Sequence, residues 1–231
     1  MQDSKTVTVG LDTSGSMLLV SVRASGRQVV RRKTGIKQER LLFPVLQAAL
    51  QAAGTTLQEV KRICIVRGPG RFTGIRIALT FASMMKFLNR AEIYGATVFE
   101  LIRRQAENTA AFARFKRQNS AGVLGVILHA FREEYFLQIF DERNAGPLWL
   151  SREELLERLA SYPAPIMLAG TDKNGASLAE LTQGRYLLAN IRDGRVRPET
   201  LLALSQEEKF KTDALEPLYL KPARFELIIP K

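Results

Sequence analysis

The chain has 231 residues, 46% of them hydrophobic and 25% charged, enough for one large or two small domains whose core needs no covalent staples. Thirty-four Lys+Arg against 23 Asp+Glu leave +11, while the single cysteine, Cys64, and the single histidine, His129, exclude a disulfide scaffold and leave too few soft ligands for zinc. Apolar runs are broken within a few residues by Arg, Lys or Gly and the start, Met1–Lys5, is polar, so the expectation is a cytoplasmic chain without a signal peptide or membrane span.

Thr6–Leu11 alternates as a half-buried strand should and ends in the polar turn Asp12-Thr13-Ser14-Gly15-Ser16. Met17–Val22 and Gln28–Arg32 read as strands joined by the Ala24-Ser25-Gly26 turn, which predicts an antiparallel meander. Leu42, Val45, Leu46, Ala49, Leu50 and Ala53 follow helical spacing up to Gly54, with Leu41 and Ala48 widening the apolar face and Pro44 blurring the start. Thr55–Gln58 resembles a capping box, and Arg62–Val66 reads as a buried strand in which Cys64 is a small hydrophobe. Gly68-Pro69-Gly70-Arg71-Phe72-Thr73-Gly74 follows, then a helix over about 74–88 for which Thr73 is the expected cap. A strand at Glu92–Ala96 leads into a stretch free of Pro and Gly, read as one long helix around Thr97–Phe115. Gly122–Leu128 and Tyr135–Phe140 look like paired strands, Ser151-Arg152-Glu153-Glu154 like a capping box opening a helix to Leu159, and Pro165–Ala169 like another strand. The pattern predicts a two-lobed α/β chain: an N-terminal lobe over 1–103 completed by 206–231, and a C-terminal lobe over 104–205, without an internal sequence repeat.

Two elements carry potential chemistry. Asp12, Thr13 and Ser14 at a strand end are compatible with a capping turn or with a site for hydrated magnesium or phosphate. Gly68, Gly70, Thr73 and Gly74 between strand and helix are compatible with a tight packing turn or an anion site at a helix N-terminus. The loop is neither a P-loop, since no Gly-Lys-Ser/Thr follows, nor a dinucleotide fingerprint. Charge is uneven: residues 61–120 hold 12 Lys+Arg against three acids. Such clustering fits a polyanion surface or a solvated face, and Arg71, Arg103, Arg104, Arg114, Lys116 and Arg117 are its candidate contacts with a nucleic-acid backbone.

Taken together, Leu11-Asp12-Thr13-Ser14, Leu46 in the first helix, the run Gly68-Pro69-Gly70-Arg71-Phe72-Thr73-Gly74-Ile75-Arg76-Ile77, and the closing Glu216-Pro217-Leu218-Tyr219-Leu220 resemble the TsaB (YeaZ) family, accessory subunits in threonylcarbamoyladenosine biosynthesis. The resemblance implies an actin-like, Hsp70-like, sugar-kinase-like fold on ribonuclease H-like lobes. It also implies a noncatalytic scaffold that binds a TsaD-like catalytic paralogue, joined by a TsaE-like ATPase, while threonylcarbamoyl is transferred to a tRNA adenosine next to the anticodon. No cofactor is then required in this chain, ATP and magnesium belonging to the assembled complex. The paralogue's His-x-x-x-His metal motif has no counterpart here. The chain departs from the family at Lys37-Gln38-Glu39, where a His-Thr pair is common, at Arg71 in place of Ser, at His129–Glu134, and at Met84, Met85 and Phe87 in place of small residues.

The expected partner surface comprises Leu41, Leu42, Val45, Leu46 and Leu50 of the first helix with Ile75, Leu79, Met85 and Leu88 of the second, packing as half of a four-helix bundle. Without the partner, the same surface is expected to form a homodimer. The alternative is an active ATP-binding phosphotransferase or ATPase of the same fold, with Asp12 holding magnesium and Gly68–Gly74 holding phosphate.

Overall fold

The computed structural model describes residues 6–35, 37–143, 145–190, 192 and 194–221. The chain divides into two compact units, one running through Val98 and rejoined by Val196–Leu218, the other spanning Phe99–Arg195 and taken up again at Tyr219. The boundary thus falls ahead of the expected residue 103 and the return ahead of 206; the expectation for 222–231 lies outside the described residues.

In the first unit, β1 (Val7–Asp12), β2 (Met17–Ala24) and β3 (Arg27–Thr34) form the predicted meander, with Ser25 and Gly26 both in the left-handed region (φ 48° and 76°), as a two-residue hairpin turn requires. β4 (Val60–Val66) pairs parallel with β1, and β5 (Glu92–Ala96) with β4, giving the order β3-β2-β1-β4-β5. β1 is buried on both faces rather than alternating, because it lies mid-sheet between covering helices. Against one face, α1 (Gln38–Ala52) and α2 (Phe72–Asn89) bury Leu42, Leu46, Ala49 and Leu50, and Ile75, Ala78, Leu79, Ala82 and Met85. Pro44 lies inside α1 without ending it: both Pro44 and Arg40, whose carbonyl loses its helical partner, face solvent. On the opposite face, Leu201 and Leu202 of α7 (Pro198–Ala203) stand 3.2 Å from where a Cβ on Gly10 would lie, and the Cys64 thiol donates to the Leu202 carbonyl at 3.8 Å. Burial pushes that thiol up to about 12, so Cys64 is an unreactive core residue.

The second unit repeats the plan. β6 (Val123–Phe131), β7 (Glu134–Phe140) and β8 (Leu148–Ser151) form an antiparallel meander, β9 (Ile166–Thr171) pairs parallel with β6, and β10 (Leu187–Leu188) with β9. Renumbered within its unit, the order β10-β9-β6-β7-β8 is that of the first sheet read from the other edge. The correspondence, absent as a sequence repeat, is the ribonuclease H-like plan of the expected fold class. α5 (Arg152–Ala160) opens with the predicted capping box between Ser151 and Glu154, and α6 (Leu178–Leu181) follows β9. The predicted long helix is instead two, α3 (Val98–Glu107) and α4 (Ala110–Gln118). Thr109 ends one and starts the other: its hydroxyl donates to the Ala106 carbonyl (2.7 Å) and accepts from the Phe112 amide (3.1 Å). His129 closes the β6–β7 hairpin, Nε2–H donating to the Arg132 carbonyl (2.8 Å) and the ring set edge-on against Tyr135.

Leu46 is 2% exposed, so Leu46→Ala should cost about 2–5 kcal/mol. Leu46→Glu should leave no cooperative transition in urea unfolding followed by circular dichroism.

Candidate functional site

The C-terminal ends of β1 and β4 bring the two sequence motifs together. After β1, the Asp12 carboxylate accepts from the Ser14 amide (2.9 Å) and hydroxyl (2.6 Å), folding the turn back on itself. The Thr13 hydroxyl is fully buried and donates to the Gly74 carbonyl (2.7 Å), while the Ser14 carbonyl accepts from the Arg71 amide (2.7 Å). α2 begins at Phe72 with Arg71 as its N-cap residue, so Thr73 is an exposed first-turn residue and not the expected cap. Gln38, at the start of α1 and 2% exposed, donates from Nε2 to the Gly15 carbonyl (2.9 Å), while its Oε1 is buried without a partner. The Lys37-Gln38-Glu39 departure therefore has a structural role that the sequence did not reveal.

Three glycines owe their identity to what sits against them. A Cβ at Gly70 would collide with the Ser14 carbonyl, and one at Gly74 with the Thr13 carbonyl. At Gly68, with φ +119°, it would stand 2.6 Å from the Leu218 carbonyl. Leu218 is held there because its amide donates to the Arg67 carbonyl (2.8 Å), on the segment whose Pro-x-Tyr-Leu echo closes the sequence. Carbonyl oxygens, not N–H donors, thus crowd these glycines, and the Thr13 and Ser14 hydroxyls are spent inside the protein. That lining does not fit a nucleotide phosphate, which needs converging donors. Burial raises the Asp12 carboxyl above its ordinary range, against the pull of the two Ser14 bonds. A magnesium-binding carboxylate is favoured by the opposite shift. Among the described residues, no group of three His, Cys, Asp or Glu side chains is placed to hold a metal ion.

The expected partner residues largely build the unit's own core. Leu42, Leu46, Leu50, Ile75, Leu79 and Met85 are buried, and Leu41 and Val45 are half-buried against them; Leu88 alone of the nine is exposed. A different set reaches the surface. Phe43 of α1, half exposed, packs edge-on over Phe81 of α2 (6.2 Å between ring centroids). Along α2, Ile77, Phe81, Met84 and Leu88 share one helical stripe, with Ile77 and Met84 half-buried, Leu88 62% exposed and the neighbouring Phe87 85% exposed. Helical spacing marks such a stripe, but not which of two apolar stripes on one helix faces the sheet.

The basic candidates scatter. Arg103 donates to Glu107 (2.8 Å) and lies over the Phe140 ring, and Lys116 donates to the Ser120 and Gly122 carbonyls beyond the end of α4. Arg104 is half-buried, Arg114 and Arg117 are exposed on α4, and Arg71 is exposed beside the glycine loop.

Two outcomes test this geometry. Thr13→Val removes the Gly74 carbonyl's partner and should lower unfolding stability by about 1–3 kcal/mol. Asp12 is raised on folding, so its ionisation opposes the folded state as pH rises from its unfolded value of 3.8 through its folded one. Asp12→Asn keeps an acceptor for Ser14 and should remove that loss, its stability gaining on the unmodified chain between pH 4 and 7 in denaturant titrations.

A family model described as tRNA N6-adenosine threonylcarbamoyltransferase (TsaD) matches residues 21–110, less than half of the chain. The tRNA threonylcarbamoyladenosine biosynthesis protein TsaB of Escherichia coli K12 is 23% identical over 194 residues, covering 78% of this chain and 79% of that one. TsaB of Bacillus subtilis 168 is 19% identical over 223 residues, covering 94% and 95%. Among solved structures, YeaZ from Pseudomonas aeruginosa superposes with a TM-score of 0.65 at 22% identity, over 93% of this chain and 100% of that one. The chain is thus similar to TsaB (YeaZ) proteins over most of its length, with the Leu-Asp-Thr-Ser turn locked against the Gly-Pro-Gly loop.

Proposed function

We propose that the chain is a noncatalytic scaffold subunit in tRNA threonylcarbamoyladenosine biosynthesis, binding and supporting a TsaD-type catalytic paralogue while threonylcarbamoyl passes to a tRNA adenosine. The observation that carries this reading is the second apolar stripe on α1 and α2. Phe43, Phe87 and Leu88 stay at the surface, with Met84 half-buried beside them, although the core beneath is already filled by Leu46, Leu79 and Met85. An apolar face left over after folding is what a helix-to-helix interface needs, and Met84 with the exposed aromatics Phe43 and Phe87 gives it adaptable shape. The names of the curated relatives supply the pathway, and the inward-turned Thr13 and Ser14 hydroxyls argue against a phosphotransferase role for this chain. On this reading, ATP and magnesium serve a TsaE-type ATPase and the catalytic subunit, and the same stripe pairs two copies of the chain when the paralogue is absent.

The test is a pair of experiments. Depleting the chain from its host should reduce threonylcarbamoyladenosine in bulk tRNA, read by nucleoside mass spectrometry, and the unmodified chain should restore it. Phe43→Glu/Leu88→Glu, both at exposed positions, should keep the unfolding transition of the parent yet lose co-purification with the host's TsaD-type protein. An intact complex in size-exclusion chromatography would reject the stripe as the interface.

A further inference from the structure

The 61–120 region dominates the linear charge count, yet much of its charge is engaged: Arg62 with Glu92, Lys86 with Asp213, Arg103 with Glu107, and Lys116 with backbone carbonyls. The cations left unengaged as a group lie elsewhere. Residues 27–40 hold Arg27, Arg31, Arg32, Lys33, Lys37 and Arg40 against one acid, Glu39. All six are exposed, and among the described residues none is joined to a carboxylate. They line β3, an edge strand of its sheet, and the start of α1.

From the geometry, we infer that β3 and the start of α1 form a contact surface for an RNA sugar-phosphate backbone. Pairing of Val20 with Arg31 and of Leu18 with Lys33 sets those two cations on the α1 side of the sheet, the side where Lys37 and Arg40 also lie, while Arg32 points to the other face. Arg31 and Lys33 stand about 6.7 Å apart along the strand, a spacing comparable to that of successive phosphates. Cations at a sheet edge also discourage strand-to-strand aggregation, but one or two suffice for that. Arg31, Lys33, Lys37 and Arg40 on one side, with only Glu39 among them, repel one another and are relieved by a polyanion. Choosing RNA among polyanions rests on the proposed role in tRNA modification; the surface itself rests on the charge and its placement.

Binding of fluorescently labelled unmodified tRNA to the purified chain, followed by anisotropy between about 50 and 200 mM salt, tests this. The affinity should fall linearly in log salt, and Arg31→Glu/Lys33→Glu should weaken binding about tenfold or more and flatten the slope by roughly 1.4–1.8, at about 0.7–0.9 per phosphate contact. Arg114→Glu/Arg117→Glu on α4 should leave both unchanged. The milder Arg31→Gln/Lys33→Gln should show the same loss to a lesser degree, with the unfolding transition retained in each variant. No binding by the unmodified chain, or unchanged affinity in the β3 variants, would overturn the surface. Threonylcarbamoyladenosine levels independent of the chain, with tRNA binding intact and β3-dependent, would instead reject the pathway reading and leave the RNA surface standing.

Discussion

The interlock between the Asp12–Ser14 turn and the glycine loop is the contact on which the rest of the first unit depends. β1 and β4 run parallel, so each must leave the sheet at the same end, and their exits compete for the same space. Glycine at 70 and 74 lets the Ser14 and Thr13 carbonyls occupy positions that a side chain would fill, and the buried Thr13 hydroxyl ties the turn to the first turn of α2. This contact sets where α2 starts over the sheet. The position of α2 in turn decides which stripe enters the core and which, with Phe43, remains outside.

The same interlock changes the meaning of the motif. A glycine-rich loop between strand and helix favours anions when its amides converge on empty space. Here the space next to the glycines is taken by acceptor oxygens from two segments: Thr13 and Ser14 in the turn after β1, and Leu218 from the returning chain. Nothing in the local sequence distinguishes the two arrangements, since both need glycines at those positions. The turn after β1 makes the difference at Gly70 and Gly74, and the returning segment, some 150 residues away in the chain, makes it at Gly68 through the Leu218–Arg67 backbone bond.

The two units share a strand order and strand directions without a detectable repeat. Sheet topology depends on which backbones pair and on where apolar residues fall, and many side-chain sets satisfy both conditions. After the fifth strand of each sheet the chain crosses over: α3, which follows β5, belongs to the second unit from Phe99 onward, and α7, which follows β10, belongs to the first. This crossing moves the boundaries away from residues 103 and 206, because α7 completes the core over Gly10 and Cys64 ahead of the expected return.

Taken alone, the sequence determined the elements that local physics governs: the β2–β3 hairpin turn, the Ser151 capping box, the helix ended near Gly54 and the burial of Cys64, and it carried the resemblance to TsaB (YeaZ) proteins through two motifs at a fixed distance. Thr109 marks the failure closest to home, since a threonine among good helix formers reads as helix until its hydroxyl is seen bridging Ala106 and Phe112. Tertiary structure alone decided that Leu46 and Met85 are core while Phe43 and Leu88 are surface, and that Thr13 points inward. It also decided that the cations of 61–120 are largely engaged while those of 27–40 are not. Each of these depends on what stands opposite a residue across the fold, and periodicity, composition and net charge describe a residue without its opposite.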